Sequence, residues 1–328
     1  MLLCKRSLFL SGLAGLLFFP ALAAAQVAAP TFSISTTPQY PQPGEAVTVE
    51  PKSDTIDLSI ATMQILVNGT KAYDGNASSA SVSLAASGAT TIKVILSVDG
   101  KEYTKSTTLL PQSVGLVVEP NASAPPLYAG KPLIPSGGNV RIVATASFVT
   151  AKGTPLDPTK LSYTWTVNDR TISGISGIGK SAITVDAPLE YRSGSVSVVV
   201  KSPDGSLVGG DHITLSSQKP SVRVYEKDSL LGILFDHALS DTQKITGSEL
   251  SLYAAPYSFS TTGGLPTINW FLNTAAAQAG NTITLRPTGN GQGTASVSCT
   301  ARKGDFAVAS QALSVDFGSS KSSNFFGL

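Results

Sequence analysis

The amino-acid sequence predicts an all-β protein built from several β-sandwiches. Short segments of alternating or β-branched residues recur along the chain, and clusters of Gly, Pro, Asn and Asp separate them. Apolar residues do not recur at the three- and four-residue spacing of an amphipathic helix. One Ala-rich stretch, residues 272–280, fits a helical turn or a loop equally well. Many short strands joined by turns are typical of sandwich folds.

Composition and charge narrow the class of function. A length of 328 residues suggests two or three domains, and 42% hydrophobic residues are enough to build cores. Lys5 and Arg6 are two of the 23 basic residues, so a chain without its leader has 21 basic and 21 acidic residues. Because such a chain is neutral and has no Lys/Arg cluster, we do not expect it to bind nucleic acid.

The first 25 residues have the form of a secretory signal peptide. Lys5 and Arg6 are followed by an apolar run that Pro20 interrupts, and alanines at 23–25 fit a cleavage site before Gln26. An uncleaved N-terminal anchor is the alternative, although the run is shorter than the ~20 residues of a spanning helix. We therefore expect an extracytoplasmic protein (secreted, periplasmic or at the cell surface) with no transmembrane anchor beyond its leader.

Three similar segments recur at a spacing of roughly 100 residues, which indicates tandem modules. "ILVNG" begins at Ile65, "WTVND" at Trp165 and "WFLNT" at Trp270. Strand alternation places the first and third residues of each segment on one face, and the Asn suits a turn. Ile65, Trp165 and Trp270 are therefore predicted to be the core anchors of three modules.

The two Trp segments resemble the third strand of bacterial immunoglobulin-like modules, in which a Trp packs across the sandwich. Residues 114–317 are also similar to secreted immunoglobulin-like-repeat proteins of candidate-phyla-type bacteria, through "YTWTVND", "GKSAITV", "VKSPDGS", "YEKDSLLGILFDHAL" and "GSELSLYAAPYSFS". The first module departs from the pattern, with Ile65 in place of Trp. The resemblance implies an extracytoplasmic array of tandem immunoglobulin-like β-sandwich modules, and it transfers no catalytic residue or cofactor.

The module boundaries are expected at two short joints that contain Pro, "LPQSV" and "SSQKPS". Short Pro-containing linkers favour semi-rigid succession over loosely tethered modules. We place a signal peptide at 1–25, modules at 30–112, 114–217 and 219–317, and a flexible tail at 318–328.

The densest group of ionisable residues lies between 224 and 241. It holds Glu226, Asp228, Asp236, His237 and Asp241, including one of the two histidines of the chain. Carboxylate and imidazole groups are metal ligands and acid–base catalysts. Their spacing matches neither an EF-hand loop nor HExxH, so we interpret the stretch as a solvated connection between two strands. A divalent-cation site and a catalytic site are the alternatives.

The second module provides an internal test of that interpretation. Its corresponding connection, "NASAPPLYAGKPLIPSGG", lacks the acidic residues and the histidine but keeps a few apolar positions. We therefore predict that this connection serves packing, by covering a sheet edge or sealing a module joint. Its apolar anchors are predicted to be Leu127, Tyr128 and Leu133 in the second module, and Leu231, Ile233, Leu234 and Leu239 in the third.

The second histidine, His212, follows Asp211 in "GGDHITL", where an exposed turn pair is expected. We expect the two histidines near the same joint, so Asp211, His212, Asp236 and His237 are weak candidates for a shared metal site.

Other motifs favour structural roles. Cys299, the only cysteine after the leader, is expected to be a buried, inert thiol in a strand. The glycine-containing segment 174–181 lacks the spacing and strand–loop–helix context of a phosphate-binding loop, and we interpret it as a strand-to-strand loop.

Aromatic residues offer two further binding hypotheses. Five tyrosines either stack on sugars or lie in sandwich cores with their hydroxyls at the surface. The Ser-rich tail is either a disordered end or a docking peptide that buries Phe325, Phe326 and Leu328 in a partner. The five tyrosines are Tyr128, Tyr191, Tyr225, Tyr253 and Tyr257.

The sequence thus favours a secreted, non-enzymatic protein of the cell envelope or cell surface, with no cofactor and a protein or glycan partner. Adhesion, or an accessory role in a surface appendage, fits this class. The alternative is a carbohydrate- or divalent-cation-binding module protein. A hydrolase that uses Asp236 and His237 is the third hypothesis.

Overall fold

The computed structural model describes residues 31–126, 128–289 and 291–318. The predicted leader, Leu127, and the tail with Phe325, Phe326 and Leu328 lie outside the described residues. The described part contains 24 β-strands and two short 3-10 helices. Within it, no helix is long and apolar enough to cross a membrane.

The first sandwich contains seven strands. Alternate residues of its second and sixth strands are buried, so the inner faces of two sheets meet in a core around Met63, Ile65 and Val94. The strands are β1 (Ser33–Thr37), β2 (Ala46–Lys52), β3 (Thr62–Val67), β4 (Thr70–Asn76), β5 (Ala80–Ser83), β6 (Thr90–Val98) and β7 (Lys101–Leu109). The sheets have the orders β1-β2-β5 and β4-β3-β6-β7.

The second sandwich repeats this plan. Its 3-10 helices span Pro158–Lys160 and Ser173–Ile175. Its strands are β8 (Ser113–Pro120), β9 (Asn139–Ser147), β10 (Ser162–Val167), β11 (Arg170–Thr171), β12 (Gly177–Ile178), β13 (Ala182–Asp186), β14 (Ser193–Lys201) and β15 (Val208–Ser216). One sheet has the order β13-β9-β8, and the other has β11-β10-β14-β15 with β12 also paired to β10.

The third sandwich adds two short strands to the plan. Its strands are β16 (Ser221–Asp228), β17 (Gly232–Ile233), β18 (Thr242–Lys244), β19 (Leu250–Tyr257), β20 (Thr267–Leu272), β21 (Ala275–Ala279), β22 (Thr282–Leu285), β23 (Gly293–Lys303) and β24 (Ala307–Phe317). The sheets have the orders β17-β16-β19-β22 and β18-β24-β23-β20-β21. The added strand β18 runs parallel to β24.

One local prediction is wrong. Residues 272–280 form neither a helical turn nor a loop, because β21 pairs antiparallel with β20 through a two-residue turn. Leu272 and Ala275 flank that turn, and the backbone hydrogen bonds of the hairpin outweigh the helix propensity of the alanines.

The predicted fold class, an all-β chain of tandem immunoglobulin-like sandwiches, is confirmed. In each sandwich the first two strands share a sheet with the strand before the last hairpin, and the third strand pairs with that hairpin in the other sheet. Ile65, Trp165 and Trp270 are fully buried on the equivalent strands β3, β10 and β20. They lie opposite Val94, Val198 and the buried Cys299 respectively.

An asparagine repeats at the end of each third strand and fixes the sandwich locally. Asn68, Asn168 and Asn273 have φ of 49°, 48° and 48°, the left-handed conformation that Asn tolerates better than most residues. Each Oδ1 accepts a hydrogen bond from a backbone N–H of the opposing strand region, at Thr91 (2.8 Å), Ser195 (2.9 Å) and Ser296 (2.9 Å). The same side chain therefore ties the turn to the last hairpin three times in one chain.

Candidate interaction surface

In each sandwich one segment joins the first strand to the next long strand of the same sheet, which is β2, β9 or β19. We name these segments the first connection (residues 38–45), the second connection (121–138) and the third connection (229–249). The first and second connections both contact the sandwich that follows.

The first connection lies on the second sandwich through Tyr40 and Gln42. A Cβ on Gly210 would lie 2.8 Å from Cδ2 of Tyr40, so only glycine allows this approach of the ring to β15. The Nε2 of Gln42 donates to the Val114 carbonyl at 2.8 Å, and its Oε1 accepts from the Val114 N–H at 3.2 Å. The first joint is therefore hydrogen-bonded as well as packed.

Asp211 and His212 lie beside this first joint. One carboxylate oxygen of Asp211 accepts a hydrogen bond from the Leu116 N–H at 2.9 Å, and the other accepts from the His212 N–H at 2.7 Å. Both residues line a cleft that they share with Thr37–Glu45 of the first sandwich. The Asp211 carboxylate thus satisfies backbone donors on β8 and β15 at the side of the second sandwich.

The second connection forms a short antiparallel ladder with the third sandwich. Ser123 is buried, its N–H donates to the Phe259 carbonyl at 2.7 Å, and its carbonyl accepts from the Ser258 N–H at 3.0 Å. Its hydroxyl also accepts from the Phe259 N–H at 3.1 Å. An isolated bridge between Ala122 and Ser260 extends the ladder. Backbone pairing of this kind fixes the position of one sandwich against the next.

Tyrosines reinforce the second joint. The ring of Tyr128 meets the ring of Tyr257 edge to face, with centroids 5.8 Å apart. The hydroxyls of Tyr257 and Tyr225 are 2.6 Å apart and share a hydrogen bond. Burial, followed by that hydrogen bond, raises the pKa of Tyr257 well above its usual range. The Tyr257 phenol therefore stays neutral at physiological pH.

The third connection continues this aromatic cluster. Phe235 meets Tyr225 and Tyr253 edge to face, at centroid distances of 5.1 and 6.1 Å. Four of the five tyrosines proposed for sugar stacking thus lie in one cluster, while Tyr191 is 93% exposed and stands apart. Because the rings meet edge to face, the cluster packs the connection onto its sheet and presents no flat platform for a sugar ring.

The charged residues at the start of the third connection and within it make local contacts. The Asp228 carboxylate accepts from the N–H groups of Leu230 (2.7 Å) and Leu231 (2.8 Å), which lower its pKa. Asp236 and His237 form an exposed pair with Oδ2 and Nδ1 3.1 Å apart, and this hydrogen bond lowers the pKa of Asp236. Each of these contacts joins residues that are close in sequence, as expected for a connection between strands.

The two histidine pairs are not brought together. His212 lies at the first joint and His237 in the third connection, and no hydrogen bond or ion pair recorded for the described residues links them. In residues 31–126, 128–289 and 291–318 no group of three or more His, Cys, Asp or Glu side chains could hold a metal ion. The expectation that His212 and His237 lie near the same joint is therefore not supported by any contact between them in the described residues.

The predicted packing role of the connections is correct for some anchors and wrong for others. Leu239 is buried, and its carbonyl accepts from Nε2 of Gln311 at 2.6 Å. Leu133 and Leu231 are 54% and 77% exposed, so the described part of the chain does not bury them as anchors. The sheet-edge role is seen where β18 covers β24 and where Pro135 forms a parallel bridge with Gln218.

The chain is similar in fold to solved structures of tandem immunoglobulin and fibronectin-III domains. Sidekick-1 immunoglobulin domains 1–5 are 11% identical, with a TM-score of 0.32, over 88% of this chain and 59% of that one. The central fibronectin-III array of RIM-binding protein is 10% identical, with a TM-score of 0.30, over 88% of this chain and 97% of that one. The fibronectin(III)-like modules of Clostridium thermocellum CbhA are 13% identical, with a TM-score of 0.23, over 62% of this chain and 94% of that one.

These similarities concern the fold alone. The chain spans 59% of the length of the Sidekick-1 structure. No family model and no curated protein matches the chain.

Proposed function

We propose that this protein is a secreted, non-enzymatic interaction or structural protein of the cell envelope or cell surface. Its working parts would be three immunoglobulin-like modules at 30–112, 114–217 and 219–317, held in fixed succession behind a cleaved leader. Adhesion, or an accessory role in a surface appendage, fits such an array.

The observation that carries this proposal is the construction of the second joint. The Ser123 ladder with Ser258 and Phe259, together with the Tyr128–Tyr257 contact, joins the second and third sandwiches by backbone hydrogen bonds and ring packing. Proteins that present binding surfaces at a distance need such stiffness, because a rigid array pays less conformational entropy when its surfaces bind. Asp228 holds the turn that follows β16, and Asp236 and His237 form an exposed pair with each other, which favours a passive role over catalysis.

Partner contacts can be mapped by cross-linking the mature chain, residues 26–328, in its native envelope. We expect cross-links from the exposed loops of the array to one protein partner or glycan. A chain without residues 319–328 tests whether Phe325, Phe326 and Leu328 dock in that partner. Unchanged retention of the shortened chain would remove the docking role of the tail but not the proposed function.

Calorimetric titration with calcium ions and with glycans tests the alternative of a ligand-binding module protein. Stoichiometric binding of either, lost in Asp236→Asn/His237→Ala for calcium or in Tyr191→Ala for a glycan, would replace the proposed function with that alternative. Hydrolysis of ester, peptide or glycoside substrates that disappears in the same Asp236/His237 variant would establish an enzyme.

A further inference from the structure

The third connection carries two leucines that are largely exposed in the described part of the chain. Leu230 is 92% exposed and Leu231 is 77% exposed, and they are the only adjacent pair of exposed large hydrophobic residues in the described part of the chain. Isolated exposed hydrophobics are common, whereas a contiguous apolar patch marks an interaction site. We name Leu230 and Leu231 the leucine tip.

The leucine tip is held in a defined position. It lies at the turn of the hairpin formed by β16 and β17, in which Asp228 pairs with Gly232. The Asp228 carboxylate accepts from both leucine N–H groups, and Gly232 adopts the left-handed conformation, with φ of 80°, that closes the turn. A pre-organised apolar tip loses little conformational entropy when it binds.

The first two connections show what such a segment does in this chain. The first connection anchors to the next sandwich with Tyr40, and the second anchors with Tyr128. The third connection departs from this pattern, because its recorded hydrogen bonds and ring contacts stay within the third sandwich. Its leucine tip lies about eight residues, or roughly 25 Å, along β16 from the second joint.

We propose that the leucine tip docks on the first sandwich of a second copy of this chain. At the second joint the receiving surface is the segment between the second and third strands of the next sandwich, at Phe259 and Ser260. The same segment of the first sandwich exposes Ile60 at 61%, with Leu58 half-buried beside it. The chain without its leader has 21 basic and 21 acidic residues, so no net charge keeps its copies apart.

This contact is heterologous, since the leucine tip of one copy meets Ile60 of another. A heterologous contact that does not close into a ring continues as an open chain of copies. Self-docking rests on the proposed interaction function, for which it supplies the partner. It can nevertheless be wrong while the proposed function is right. A protein that stays monomeric but binds an envelope partner would overturn self-docking and leave the proposed function standing.

Sedimentation of the mature chain over a range of concentrations tests the proposal. We expect the average mass to rise with concentration without reaching a fixed oligomer. Leu230→Ser/Leu231→Ser and, separately, Ile60→Ser should each weaken association at least about tenfold, because each removes one side of an apolar contact. The matched control is Leu265→Ser, which alters a leucine that is 74% exposed in the third sandwich and lies outside the proposed contact.

Mixing the two variants gives the sharpest result. The Ile60→Ser chain keeps its leucine tip, and the Leu230→Ser/Leu231→Ser chain keeps its receiving surface, so the mixture should form one-to-one dimers and nothing larger. Thermal unfolding of each variant should match the parent chain, because all three side chains are exposed. Monomers at every concentration to about 1 mM, equal weakening by Leu265→Ser, or loss of association on deleting residues 319–328 would each overturn the proposal.

Discussion

The first sandwich and the two that follow solve the same packing problem with different anchors. Trp165 and Trp270 fill the centres of their sandwiches and donate their indole N–H to the carbonyls of Lys180 (2.8 Å) and Gly280 (3.0 Å). Ile65 fills the same position in the first sandwich, and its side chain has no group that can donate a hydrogen bond.

The asparagine turn beside these anchors does not vary. Asn68, Asn168 and Asn273 share their φ and their hydrogen bond to the opposing hairpin. The comparison teaches that the volume at the centre of the sandwich can be filled in more than one way, whereas the backbone geometry at its end is kept.

Replacing the anchors should have the largest effect. Trp165→Ala and Trp270→Ala should each destabilise their own sandwich by ~3–5 kcal/mol, since each leaves a large cavity. They also remove the hydrogen bond from the indole N–H to a backbone carbonyl, at about 1 kcal/mol. Ile65→Ala should cost less, about 2–4 kcal/mol, because the cavity is smaller and no carbonyl loses its donor.

The thiol of Cys299 reports which sandwich opens. It lies opposite Trp270, and burial raises its pKa to about 11, so it should resist alkylation at pH 8 in the folded protein. Trp270→Ala should accelerate labelling strongly, while Trp165→Ala should change it little. Equal acceleration by the two variants would show that the second and third sandwiches unfold together, so that each Trp does not stabilise its own sandwich alone.

Replacing the invariant asparagines should have the next largest effect. Asn→Ala at positions 68, 168 and 273 should each destabilise by ~1–3 kcal/mol, because alanine adopts positive φ poorly and leaves a backbone N–H without its acceptor. Asn→Gly keeps the backbone conformation and should cost less, which separates the two contributions. Urea unfolding measures these losses of stability. If Asn68→Ala alone left the stability unchanged, the asparagine would not have the same role in all three sandwiches.

The second residue of the same turn gives a smaller effect of opposite sign. It is Gly69 in the first sandwich, Asp169 in the second and Thr274 in the third, all with positive φ. A β-branched residue at φ of 71° is strained, so Thr274→Gly should stabilise the third sandwich by about 1 kcal/mol. Gly69→Thr should destabilise the first by a similar amount, and thermal melts that show no change in either would contradict the assignment of strain.

The smallest effect concerns the last hairpin of the second sandwich. Hydrogen bonds from Ser202, and then from Ser206, lower the pKa of Asp204 to about 2. Because the unfolded carboxyl titrates near ~3.9, this stabilisation is present above that pH and is lost as the pH falls from about 4 toward 2. Asp204→Asn should flatten this acid limb of the stability curve, and Ser202→Ala should move it to higher pH.

Sequence patterns predicted what depends on local periodicity. The alternation around Ile65, Trp165 and Trp270 and the turn preference of Asn were sufficient to locate three third strands. The strand at 275–279 was missed because alanine has little β-propensity of its own and the hairpin partner decides its conformation.

Contacts between sandwiches could not be predicted in the same way. The approach of Tyr40 to Gly210 and the ladder of Ser123 with Phe259 join residues far apart in sequence. The adjacent glycines at 209 and 210 were the one local signal, because glycine within a strand indicates close approach of another backbone or ring. The exposure of Leu231 was missed because apolar character predicts burial, and its hairpin turns it outward.

The parallel pairing of β18 with β24 has a mechanical consequence. A force along the axis of β24 would load the three register pairs from Thr242–Ser314 to Lys244–Asp316 in shear, so that the pairs share the force. A hairpin loaded from one end opens one pair at a time and yields at lower force. Force applied along β24 would therefore meet more resistance at this pairing than at a hairpin that is opened from its end.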